Sequence, residues 1–200
     1  WNDYEGLDVR GKTVIILIND PDWSSQALEG TFNGRAMTYY GRWTYKFEEA
    51  ARRGAIAALI VHDTEGAGYG WNVVQSAAGE NFNIVLPPEA QQPPLLQGWI
   101  QAPVAAELFK RAGHDLERLK REARTAEFRP VDLKARFDAS TGVELARITT
   151  RNVLGKLTGS KYPNETVSYG GHWDAYGIGA PDAQGRGWGD GMKVLEALRH

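Results

Sequence analysis

Residues 44–63 read TYKFEEAARRGAIAALIVHD, and the hydrophobic period changes halfway along them. In the first half Thr44 is a helix-capping residue type, Glu48 and Glu49 lie near the start, and Phe47, Ala50 and Ala51 share one face at helical spacing. Arg52, Arg53 and Gly54 supply a basic last turn and the glycine that commonly ends a helix. From 55 to 61 every residue is apolar, a run of the length of a strand buried on both faces. A helix running straight into such a strand is the second half of a strand–helix–strand unit. The first strand stands upstream as TVIILI, residues 13–18, closed by the turn residues Asn19, Asp20, Pro21 and Asp22. The predicted class is therefore α/β, with a sheet covered on both faces at least around this unit.

Outward from that unit the signals are more mixed. Residues 24–40 are rich in Gly, Asn, Ser and Thr without a sustained period, which predicts a long surface loop. Residues 64–70 read as turns, an aromatic and polar segment follows to Asn83, and prolines at 87, 88, 93 and 94 predict an extended connector. From Pro103, PVAAELFKRAGHDLERLKREAR reads as two short amphipathic helices broken at Gly113-His114-Asp115, with Asp115 capping the second. VDLKARFDAS then places Val131, Leu133, Ala135, Phe137 and Ala139 on one face, the pattern of a one-sided strand. NVLGKLTGS and ETVSYGGH are further strand candidates. A boundary near 125–130 divides the chain into expected domains 1–126 and 127–200.

Composition narrows the functions. Two hundred residues, 42% hydrophobic and 24% charged, can bury a sizeable core. A net charge of -2 with interspersed signs lacks the concentrated positive charge that binding nucleic acid or an anionic membrane surface requires, so neither is an expected partner. No apolar run is long enough to cross a bilayer. The absence of cysteine removes thiolate ligands and nucleophiles, leaving His and carboxylates to hold any metal. The chain opens at Trp1 without a basic-then-apolar leader, from which we expect a fragment.

Residues 170–177, GGHWDAYG, place His172 and Asp174 two apart on an extended segment, hence on the same side. The order NVLGKLTGSKYPNETVSYGGHWDAYGIG, residues 152–179, resembles the opening of the catalytic domain in co-catalytic di-zinc exopeptidases related to glutamate carboxypeptidase II and the bacterial aminopeptidases. Upstream, EEAARRGAIAALIVHD is similar to the protease-associated domain that several of these enzymes carry. The resemblance implies a protease-associated domain of mixed strands and helices, then the first strands of an α/β zinc peptidase domain, in a secreted or periplasmic protein.

By the same resemblance His172 would bind one of two zinc ions and Asp174 would orient its imidazole, because a carboxylate on the second ring nitrogen fixes the tautomer. Asp190 is the candidate for the aspartate that bridges the two zincs, although Gly191 stands where the family has an acidic or amide neighbour. The Glu-Glu pair that supplies the family's general base has no counterpart here, and Glu196 reads as a solvated charge on a terminal helix. His62 and His114 read as polar loop residues. The expected chain is thus catalytically incomplete, with zinc absent or weakly bound, and the alternative is a non-catalytic binding module of protease-associated type. Its expected partners are a peptide substrate, the missing remainder of the catalytic domain, and other copies of the chain through exposed strand edges.

One further segment is a binding candidate on its own residues. FNGRAMTYYGRWTYK, 32–46, carries Arg35, Tyr40, Arg42, Trp43 and Lys46 in a loop entering a helix start, where backbone N–H groups favour an anion. Guanidinium groups beside aromatic rings suit a peptide carboxylate; packing of Trp43 and one tyrosine over the helix is the equally open alternative.

Overall fold

The structure is a computed structural model that describes residues 1–75 and 82–171. The chain divides into two units, Trp1–Phe137 and Asp138–His200. In the first unit three strands, β1 (Thr13–Leu17), β2 (Ala57–His62) and β3 (Leu96–Gln101), form a parallel sheet in the order β1-β2-β3. Thr13 lies opposite Ala57 and Leu17 opposite Val61; Ala57 lies opposite Leu96 and His62 opposite Gln101. Among the described residues five helices accompany the sheet: α1 (Trp43–Arg52), α2 (Thr64–Ala67), α3 (Trp71–Val74), α4 (Ala102–Arg111) and α5 (Leu116–Glu122). The chain is an α/β protein with a small parallel sheet.

Side-chain alternation along the strands builds two cores, one on each face. Val14 and Ile16 of β1 join Ala58 and Ile60 of β2 against Phe47 and Ala50 of α1. Ile15, Leu17 and Val61 face the other way, onto Ala105 and Phe109 of α4 and Leu116 and Leu119 of α5. All of β2 is buried, as an unbroken apolar run in a doubly covered strand requires.

Helix ends follow the glycines. After α1 Gly54 takes φ +79, the Ala55 N–H reaches back to the Ala50 carbonyl (2.9 Å), and Gly54 N–H bonds to Ala51 (2.9 Å). After α4 Gly113 repeats the arrangement, with His114 N–H on Phe109 and Gly113 N–H on Lys110. Both closures satisfy carbonyls that a bare helix end leaves orphaned. Asp115 caps α5 as expected, its carboxylate accepting from Arg118 N–H at 3.1 Å.

Several expectations need correction. Helix α1 begins one residue earlier than Thr44: Arg42 holds the cap position, without a side-chain capping bond, because a 3-10 turn at Tyr39–Gly41 feeds directly into the helix. The predicted connector through the prolines ends in β3, whose ladder with β2 starts two residues beyond Pro94. Residues 131–137 form no strand; Val131 and Leu133 pack on the α4–α5 cluster, but no strand among the described residues offers them a ladder. The described part of the second unit, 138–171, is exposed and contains neither helix nor strand, so the strands expected in NVLGKLTGS and ETVSYGG are not formed.

Candidate ligand cleft

The carboxyl ends of the strands, where open α/β sheets usually bind ligands, are built from the exits of β1 and β2 and the start of α1. Past β1, Asn19 takes φ +64, a conformation asparagine tolerates better than most residues. Its side chain accepts from Asp20 N–H (2.9 Å) and donates to the Gly66 carbonyl (2.8 Å), tying the end of β1 to α2. Asp20 is only 3% exposed. Its Oδ2 accepts from Thr38 N–H (3.4 Å) and Thr38 Oγ1 (3.1 Å), whereas Oδ1 meets no donor among the described residues. Burial pushes this carboxyl above the usual range, Asp22 adds to the rise, and the Thr38 bonds and Lys46 oppose it. Gly41 packs on this corner so closely that a Cβ would stand 2.8 Å from Asn19 Oδ1, which explains the glycine.

A cleft of about 340 Å³ opens beside this corner. Ile18 comes from the end of β1, Met37, Gly41 and Arg42 from the loop, Trp43 and Thr44 from the first turn of α1, and Ala67 and Tyr69 from the segment after β2. Trp99 of β3 links two of these walls from behind, its ring centroid 6.2 Å from Trp43 and 6.4 Å from Tyr69. His62 completes the support: it is buried, lies 5.8 Å from the Tyr69 ring, and its Nε2 stands 3.1 Å from the Tyr69 carbonyl. A carbonyl only accepts, so Nε2 carries the proton and holds the Tyr69 backbone in place. His62 is thus the last residue of β2 and a structural prop, not the loop residue expected. His114, half-buried, serves the closure of α4 through its backbone.

Two of the five residues expected to clamp a carboxylate line this cleft, Arg42 and Trp43. Lys46 lies one turn further along α1, half-buried; desolvation of its ammonium lowers its pKa to about 8, against the opposing influence of Asp3 and Asp20. Arg35 is exposed in the loop and does not line the cleft. Tyr40 points elsewhere as well, edge-on to Phe32 (6.3 Å) and Tyr45 (5.0 Å). Met37, Tyr69 and the supporting Trp99 were not legible as site residues. A signal for Tyr69 exists in the position of its segment, immediately after a parallel strand.

His172, Asp174 and Asp190 lie outside the described residues. Among the described residues no three His, Asp or Glu side chains converge as a metal site. No family model, curated protein or solved structure matches the chain.

Proposed function

We propose that residues 1–137 act as a peptide-binding module of protease-associated type, in a chain of di-zinc exopeptidase lineage that acts outside the cytoplasm. The cleft lined by Arg42, Trp43 and Tyr69 carries this reading, because it joins a cation to aromatic walls at the end of a parallel sheet. The motif of residues 152–177 supports the lineage by resemblance.

Calorimetry on the purified 200-residue chain tests it, with peptide and zinc titrated separately and an aminoacyl-nitroanilide assay on the same sample. Peptide binding should occur without added zinc and survive His172→Ala, with no turnover. Stoichiometric zinc binding that disappears in His172→Ala, accompanied by turnover, would establish an enzyme instead.

A further inference from the structure

We infer that the cleft selects the free carboxyl end of a peptide whose last residue is large and apolar, aromatic above all; this rests on the peptide-module reading. The size sets the scale. At about 340 Å³ the cleft is at the lower end of ligand pockets, roughly 300–1,000 Å³, and suits one terminal residue rather than a long segment. Its lining fits that residue's two ends. Ile18, Met37, Trp43 and Tyr69 offer apolar and ring surface, and Arg42 is the one charged residue of the lining.

Among the described residues the cation, Arg42, has no ion-pair partner. Two carboxylates of α1 are engaged with other groups, Glu48 accepting from the Tyr39 hydroxyl (2.8 and 2.6 Å) and Glu49 holding Arg52 and Arg53 (2.7 Å each), and buried Asp20 gives its Oδ2 to Thr38. A ligand carboxylate would therefore complete Arg42 without displacing an internal bond, in the planar geometry guanidinium groups favour. The walls are preorganised too. Trp43 and Tyr69 both lean on Trp99, so an aromatic side chain would meet rings already held for edge-to-face contact.

The test uses the whole 200-residue chain and three N-acetylated tetrapeptides, followed by calorimetry. All begin with three glycines; one ends in phenylalanine with a free carboxylate, one in its amide, and one in glycine with a free carboxylate. The phenylalanine acid should bind best. Its amide and the glycine acid should each bind about tenfold or more weakly, the scale of one charge-assisted hydrogen bond or one buried ring. In Arg42→Gln, a surface change, the acid should lose most of its advantage over the amide, while an unchanged urea midpoint reports that the variant is folded. Equal binding of acid and amide, equal binding of the two acids, or an acid preference that Arg42→Gln leaves largely intact overturns the inference and leaves the module reading standing. Failure of all three peptides to bind at millimolar concentration overturns both.

Discussion

Lys46 sits half-buried on α1 with Asp3 and Asp20 in its field, yet forms no ion pair among the described residues. Desolvation outweighs both carboxylates and brings its pKa from 10.5 to about 8. Below that value the lysine is charged in the folded and the unfolded chain alike, and the folded state carries the whole cost of burying the ammonium. Between about 8 and 10.5 the folded chain releases its proton first, the unfolded chain binds more protons, and stability rises with pH. Lys46→Met should therefore be more stable than wild type near neutral pH, by at most about 3 kcal/mol, and the advantage should shrink as pH approaches about 9.5. Tyr4 acts in the opposite sense, since burial foremost and Glu49 next raise its pKa, but Lys46 is not among its perturbing charges and its effect cancels in the comparison. Urea unfolding of both proteins at the two pH values is the measurement, and a stability difference independent of pH would reject this account of Lys46.

At the scale of elements, Asp63 joins three of them at the exit of β2. Its Oδ1 accepts from the N–H groups of Glu65 (3.1 Å) and Gly66 (3.2 Å) at the start of α2, and its Oδ2 accepts from Lys120 of α5 (2.8 Å). Burial alone would raise this carboxyl; the Lys120 ammonium and the two N–H groups outweigh it and the pKa falls below 3.8. The stabilisation is complete above that ordinary value and lost as pH drops through the lowered one. Asp63→Ala should cost about 1–2 kcal/mol at neutral pH, with the loss fading in acid, and Asp63→Asn should cost less because it keeps a capping oxygen. Thermal or urea unfolding across that range decides it; equal losses for both variants would mean that the ion pair, not the cap, carries the effect. Elements with their own local signals are the legible ones. Gly54 and Gly113 mark the ends of α1 and α4, Asp115 the start of α5, and the apolar runs of β1 and β2 their burial. By contrast α2 and α3 are single turns of four residues, too short to show a period, and β3 follows prolines that mask it. The alternation of residues 131–139 reports one-sided burial for Val131 and Leu133, but hydrogen bonding needs a partner strand that no local pattern encodes. The cleft divides the same way. Arg42 and Trp43 announce themselves beside a helix start, while Tyr69 and Trp99 join them only through the sheet.

For the whole molecule, both hydrophobic clusters lie within Trp1–Phe137. The described residues of the second unit contribute to neither, and Leu145, Leu154, Leu157 and Tyr169 are each more than nine-tenths exposed. Burying one such leucine is worth about 1.5–3 kcal/mol, so several together supply a drive for association between copies of the chain. The 200-residue chain should accordingly self-associate as its concentration rises, whereas a chain ending at Phe137 should remain monomeric and unfold at the same urea concentration. Sedimentation velocity reads the first outcome and tryptophan fluorescence the second, since Trp1, Trp23, Trp43, Trp71 and Trp99 all lie in the retained unit. A shortened chain that unfolds at lower urea would mean that residues beyond 137 buttress the sheet; a 200-residue chain that stays monomeric at high concentration would mean that its exposed apolar side chains do not drive pairing.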